Sequence, residues 1–307
     1  MKKAQVQGRM KRLVVPCDKL SSHPFGIDAD DYAYLLQHGG ENGKCECVET
    51  VKKGNAVVTP YWLKLAEDYT DMKPLEAFHR EILFALISAY EQGFKFVTIS
   101  MTFDNLTGGD KRHIYEEQYE AIKRAIDKLR RTEITVDLTD LFKACPNYRK
   151  NYSGRSARLV GYLLPAHYIE AEVNGQKTIT LELLAESPLM TVAKAKNQIM
   201  AYDAAPLNIP NQHNTERVIT VKNWLLRRIE LAKQRGLNKS ILFDTLYAEC
   251  GLAGASKRQK QEARKTVFAV LDAFKSEGVI KDYEVDRAGS KYRAVIIDAG
   301  YQIRKQS

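Results

Sequence analysis

Between residues 217 and 297 the apolar positions fall into three helical stripes followed by two alternating runs. Val221, Trp224, Leu225, Ile229 and Ala232 recur at spacings of three and four and predict a first helix. Ser240 is placed to cap a second, with Phe243, Leu246, Tyr247 and Cys250 facing inward and Gly251 closing it. A third begins at Ser256-Lys-Arg-Gln259, the spacing of a capping box, and carries Ala263, Val267, Val270, Leu271 and Phe274 on one stripe up to Gly278. Val279–Val285 and Lys291–Ile297 then read as two strands around the turn Asp286–Ser290. Helix, helix, helix, hairpin is the order of a helix-turn-helix with a β-wing.

An earlier stretch shows the same order. Lys73-Pro74 suits a helix start, and Leu75, Phe78, Ile82, Leu86 and Tyr90 follow as its stripe, ending at Gly93. Phe94–Ile99 reads as a short strand, and Met101–Leu106 as a brief helix closed by Gly108-Gly109. Asp110 is placed to cap a long helix with Tyr115, Tyr119, Ile122, Ile126 and Leu129 buried. Ile134–Leu138 alternates as a strand, and Tyr168–Val173 with Lys177–Leu184 forms a hairpin around Asn174-Gly175.

Between these units, 186–216 holds Pro188, Pro206 and Pro210; its apolar content predicts a linker packed on a domain surface, with a short helix at Ala193–Met200 and extended chain at Pro206–Pro210. Residues 1–58 are turn-rich and predict a weakly structured extension. The expected fold class is α+β, with two tandem winged-helix domains. The expected division is 1–58 extension, 59–185 first winged helix, 186–216 linker, 217–299 second winged helix and 300–307 tail.

Composition supports packed cores, since 44% of residues are hydrophobic. Charge changes the picture more. Of the net +9, residues 211–307 hold 19 lysines and arginines against 11 acids, whereas residues 1–210 hold 28 against 27. The first turns of the Ser256 helix carry Lys257, Arg258, Lys260, Arg264 and Lys265 against Glu262 alone. A run of charge usually marks only a solvated face. These cations sit where the helix dipole disfavours them, so helix stability does not account for them. A polyanion does, nucleic acid before a membrane surface. In the earlier long helix Glu116, Glu117 and Glu120 precede Lys123, Arg124, Lys128, Arg130 and Arg131, an order the dipole itself favours. The loop Phe142–Arg158 is different: Lys143, Arg149, Lys150, Arg155 and Arg158 stand among Tyr148 and Tyr152 with no acid. It reads equally as a wing that follows a phosphate backbone and as a surface loop.

Other chemistries lack their signatures. Gly108-Gly-Asp-Lys111 has neither the spacing nor the hydroxyl of a P-loop. No H-E-x-x-H and no His-hydrophobic-His pair occurs, and Cys45-Glu-Cys47 has no second pair at zinc-finger spacing. Glu170 and Glu172 share a strand face and read as solvated. Cys250 lies on an apolar stripe and reads as buried and inert. No enzyme activity, cofactor or metal is expected. Five cysteines in a long chain fit a reducing compartment, no apolar run is of spanning length, and Leu13-Val-Val15 stops at Pro16, too short for a signal peptide. A cytoplasmic protein without membrane association is expected.

From Trp62 to Ile297 the chain resembles the replication initiators of plasmids and integrative mobile elements of Gram-positive, gut-type bacteria. The resemblance rests on Leu75-Glu-Ala-Phe78, Ile126-Asp-Lys-Leu-Arg-Arg131 before Ile134-Thr-Val136, Gly161-Tyr-Leu-Leu-Pro165 and Ser187-Pro-Leu-Met190. Ala195-Lys-Asn-Gln-Ile199, Pro206-Leu-Asn-Ile-Pro210 and Asn223-Trp-Leu-Leu-Arg-Arg-Ile229 continue it, while residues 1–58 have no counterpart. It implies binding to repeated double-stranded origin DNA, local opening and recruitment of host replication proteins. On the residues themselves, Lys257, Arg258, Gln259 and Lys260 are the candidates for base edges, since helix-turn-helix readers use their N-terminal turns. Arg264, Lys265, Arg287, Lys291 and Arg293, with Arg149, Lys150 and Arg155 of the loop, are the candidates for phosphates. A homodimer through the first winged helix is a further candidate partner. The alternatives are a winged-helix transcription regulator and a dimerising interaction protein that meets no DNA.

Overall fold

The computed structural model describes residues 12–17, 51–53, 56–60, 75–109, 114–137, 158–173, 176–210, 212–235 and 239–299. It is a mixed α+β fold of helices and small antiparallel sheets, broadly compatible with winged-helix-like domains.

The first unit is built on α1 (Ala77–Glu91); Phe78, Ile82 and Leu86 of the expected stripe are buried, as is every other residue from Ala77 to Ala89, while Tyr90 is half-buried. The reason is that α1 is covered on several sides, by a strand from the N-terminal segment and by three other helices. Its buried polar groups are matched: Ser88 Oγ donates to Phe84 O at 2.7 Å and accepts from Val14 N at 3.0 Å. The short strand β4 (Phe96–Thr98) leads into α2 (Ile99–Thr107), capped by Thr98 Oγ1 accepting from Met101 N at 3.1 Å. Gly108 ends α2 at φ 72°, and a Cβ there would lie 2.6 Å from both Ala204 O and Asn208 N. Only glycine permits both the turn and that approach.

The long helix α3 spans Glu116–Arg131. Its N-cap residue is Tyr115, whose N–H donates to Gln118 Oε1 at 3.0 Å, where Asp110 was expected; Asp110 lies outside the described residues. Tyr115 is also 59% exposed rather than on the buried stripe, stacked on His213 at 5.9 Å. Strands β7 (Ala166–Val173) and β8 (Gln176–Leu183) form the expected hairpin, and β4 pairs with β8 to give the order β4-β8-β7. Between α3 and that hairpin, β5 (Thr132–Asp137) and β6 (Arg158–Tyr162) join β2 (Val51–Lys53) and β3 (Ala56–Pro60) in a separate sheet ordered β2-β3-β5-β6.

The joining segment differs from expectation in a way that long-range pairing explains. Its helix α4 spans Pro188–Ala195, and Ile199–Asp203 is a strand, β9, where a helix to Met200 was expected. β9 is held open by β1 (Arg12–Pro16), antiparallel from Arg12↔Asp203 to Pro16↔Ile199. A segment expected to be weakly structured thus contributes a strand, with Leu13 and Val15 buried. Ala205–Leu207 is a 3₁₀ turn in place of extended chain. The linker is packed as expected: the buried Lys222 Nζ donates to Leu207 O at 2.8 Å and to Asn214 Oδ1 at 2.7 Å.

The second unit repeats the order of the first. α5 (Glu216–Arg235) is followed by β10 (Ser240–Leu242), α6 (Phe243–Glu249), α7 (Lys257–Ser276), β11 (Asp282–Ala288) and β12 (Lys291–Asp298). The sheet order β10-β12-β11 matches β4-β8-β7 position for position. Ser240 is a strand residue paired with Ile296, not a cap; Leu242 precedes α6.

Helices α1 and α5 pack together and bury a charged joint between the units. Arg227 Nη1 and Nη2 of α5 donate to Glu81 Oε2 and Oε1 of α1 at 2.5 and 2.8 Å. Arg80 Nε donates to Glu81 Oε1 at 3.0 Å, and its Nη1 reaches Glu249 Oε2 of α6 at 2.9 Å. Burial pushes the Glu81 carboxyl up, but Arg227 and Arg80 outweigh it and hold it below the ordinary carboxylate value.

Candidate nucleic-acid interface

α7 begins as its sequence dictates. Gln259 N donates to Ser256 Oγ at 3.3 Å and Ser256 N to Gln259 Oε1 at 2.8 Å, so both halves of the capping box form. Ala263, Val267, Val270, Leu271 and Phe274 are buried beneath it. The opposite side carries Lys257 and Arg258, both exposed and without a carboxylate partner among the described residues. Gln259 is committed to the cap. Pairing adenine in two places would call on the oxygen that Ser256 already occupies. Lys265 Nζ is paired with Glu262 Oε1 at 2.9 Å on the solvent side.

The hairpin of β11 and β12, the expected wing, supplies the second set. Ala288 pairs with Lys291, leaving Gly289-Ser290 as a two-residue turn with Gly289 at φ 61°, a backbone state suited to glycine. The register slips between Asp286↔Ala294 and Arg287↔Tyr292, so Arg293 is an extra, unpaired residue on β12. Val295 and Ile297 face the helices and are buried, while Ile296 is 42% exposed on the outer face. With Arg293 paired in unbroken alternation, Tyr292 would share the face of Ile296. The bulge turns it inward, where it meets Phe243 at 6.0 Å and Phe268 at 5.9 Å between ring centroids.

Aromatic rings hold the cations of helix and wing in a row. Lys260 Nζ lies 5.5 Å from the centroid of Tyr247. Tyr247 Oη accepts from Arg264 Nη1 at 2.9 Å. The Arg264 guanidinium lies 5.0 Å from the Tyr292 ring and that of Arg287 4.3 Å from the same ring. Lys260, Arg264 and Arg287 have no carboxylate partner among the described residues. The far end of the wing is fixed by Tyr283, whose hydroxyl donates to Asp272 Oδ1 of α7 at 2.8 Å. Partial burial and that carboxylate push the Tyr283 phenol up to about 12.

The structure therefore brings together Lys257, Arg258, Lys260, Arg264 and Lys265 of α7 with Arg287, Lys291 and Arg293 of the β11–β12 hairpin, all but Lys260 and Arg264 exposed. Arg149, Lys150 and Arg155, like Cys45 and Cys47, lie outside the described residues. Tyr247 and Tyr292 are the side chains that sequence reasoning passed over. The signal for them was present as aromatic residues one strand or helix away from each arginine, but only the bulge aims Tyr292 inward. Cys250 is buried, and burial pushes its thiol up to about 12, as an inert cysteine requires. Glu170 and Glu172 are exposed, as expected of a solvated strand face. Among the described residues no group of three or more His, Cys, Asp or Glu could hold a metal ion. No described helix is long and apolar enough to cross a membrane.

No family model matches the chain, and no curated protein matches it. Among solved structures, domains 2 and 3 of RctB in selenomethionine form give a TM-score of 0.42 at 12% identity, covering 83% of this chain and 90% of that one. A second structure of RctB domains 2–3 gives 0.39 at 12% identity over 81% and 88%. The Pi initiator protein in complex with iteron DNA gives 0.34 at 10% identity over 96% and 100%.

Proposed function

We propose that this chain is a sequence-specific double-stranded DNA-binding protein that acts as the replication initiator of a plasmid or integrative mobile element. In this reading both units are winged helices, spanning 59–185 and 217–299 about the linker 186–216, and the second reads repeated origin DNA. The observation that carries DNA binding is the exposed, acid-poor start of α7 beside the wing cations. Lys257 and Arg258 enter the major groove, where arginine bonds guanine in two places. Lys265, Lys291 and Arg293 grip phosphates and set position rather than sequence. The initiator role is supported by the sequence resemblance from Trp62 to Ile297.

The first unit has another use. Its equivalent helix opens with the exposed acids Glu116 and Glu117, which repel phosphate, so we assign it to contact with protein, a second copy of the chain or host replication proteins.

Binding is tested by gel shift against random duplex and against the DNA flanking the coding sequence. Affinity must fall steeply with salt, because neutralised phosphates release counterions. Lys291→Ala should weaken every sequence alike and lower the salt slope by about 0.9. A flat salt dependence would sink the reading. Probing unpaired bases beside bound repeats then separates an initiator, which opens DNA, from a transcription regulator, which only binds.

A further inference from the structure

We infer that Lys260, Tyr247, Arg264, Tyr292 and Arg287 form a preassembled track for one strand of a phosphodiester backbone, with Tyr247 and Tyr292 as its positioning residues. The inference rests on the DNA-binding reading above and specifies how helix and wing act together. Three observations carry it. The five side chains alternate cation and ring, with contacts of 5.5, 2.9, 5.0 and 4.3 Å along the row. The cations come from two elements, α7 and the wing, yet Arg264 and Arg287 share one ring. None of the three has a carboxylate to offset it among the described residues.

Like charges so gathered repel one another, and the rings offset this only in part. The arrangement is therefore poised for an anion. Lys260 and Arg264 stand one helical turn, about 6 Å, apart, and Arg287 extends the row across to the wing. A chain of fixed charges suits such a row better than a single ion. Contact with Tyr292 also holds both guanidinium groups at one ring, and Arg287 keeps its nitrogens for two oxygens of one phosphate while Arg264 gives one donor to Tyr247. The track takes Lys260 out of the base-reading set and gives it a backbone contact. Bases are then left to Lys257 and Arg258, one turn nearer the helix start.

The test is equilibrium binding of the full chain to a mixed-sequence duplex of three helical turns, followed across a salt series by fluorescence anisotropy. Lys260→Ala, Arg264→Ala and Arg287→Ala should each make the slope of log K against log salt shallower by about 0.9. Tyr292→Leu removes no charge, yet should flatten the slope by up to about twice that, because both arginines lose their posture. Tyr292→Phe keeps the ring and should match the wild type. In the Arg264→Ala/Arg287→Ala background Tyr292→Leu should change nothing further. A wild-type slope in Tyr292→Leu, or an added loss in the double background, overturns the track. Should Tyr292→Leu fail to melt cooperatively, the Arg264→Ala/Arg287→Ala variant decides, and a wild-type slope there overturns it too. If the wild type binds steeply and all the row variants match it, the track alone fails and DNA binding stands. If the wild type binds polyglutamate and ignores the duplex, both fail.

Discussion

The third helices of the two units share a core and differ at their starts. Superposing the buried positions Ile122, Ala125, Ile126 and Leu129 of α3 on Val267, Val270, Leu271 and Phe274 of α7 also sets Asp127 against Asp272. Each of those aspartates faces a tyrosine of its own unit's hairpin, Tyr168 in one and Tyr283 in the other. The same superposition sets Tyr119 and Glu120 against Arg264 and Lys265. Toward the N-terminus the helices diverge further: α7 has 20 residues to the 16 of α3, and its extra turn is Lys257–Lys260. Acids at the start of α3 agree with the helix dipole; cations at the start of α7 oppose it. A shared core says only that the two helices pack alike. The unfavourable charge is what the proposed DNA binding accounts for.

The most severe way to break this pairing of units lies at their joint. Glu81→Ala leaves Arg80 and Arg227 buried without their carboxylate and should cost about 3–5 kcal/mol, measured by denaturant unfolding. The pH dependence has a definite sign. With the native carboxyl held below its ordinary value of 4.5, the Glu81 contribution is complete above pH 4.5. It is lost as pH falls from there through the lower native value. Glu81→Gln should therefore flatten the acid limb of the wild-type stability curve, and an unchanged limb would refute the assignment.

A smaller effect sharpens the contrast between helix starts. Arg258→Ala should cost about 1–3 kcal/mol of specific binding and relax preference at one base position, read by selection from a random duplex pool. Glu117→Ala in α3 should leave the same selection unchanged. Smaller again is the cap. Ser256→Ala removes the hydroxyl that accepts from Gln259 N and should lower thermal stability by about 1 kcal/mol, visible as a fall in the melting midpoint. If the melting midpoint does not move, the box contributes nothing to holding the α7 start.

What was legible in the sequence was local. The Ser256 box, the α7 stripe, Gly93, Gly108, Gly251 and Gly278 as helix ends, and the hairpin of β7 and β8 all depend on neighbours within a few residues. The failures have the opposite character. Ser240 reads as a cap until Ile296 is seen to pair with it, and Ile199-Met200 reads as helix until β1 is laid beside it. Arg227 and Glu81 look like ordinary surface charges because their partnership spans 146 residues. At the candidate interface the cations were legible as charge, but their arrangement was not. Tyr292 lies in a run that alternation alone would turn outward, and the register that reverses it belongs to two strands at once.

That reversal gives Arg293 an importance unrelated to its charge. A strand keeps its sidedness by parity, and one supernumerary residue changes the parity of everything beyond it. Replacing Arg293 by any other residue preserves the count and so preserves the face on which Tyr292 lies. Deleting it would leave Tyr292 opposite Arg287 and still inward, whereas pairing Arg293 into the ladder would turn Tyr292 toward Ile296 with its chemistry intact, stranding both arginines without altering any of the three side chains. At this position sidedness is set by which residue the register leaves out, not by that residue's identity.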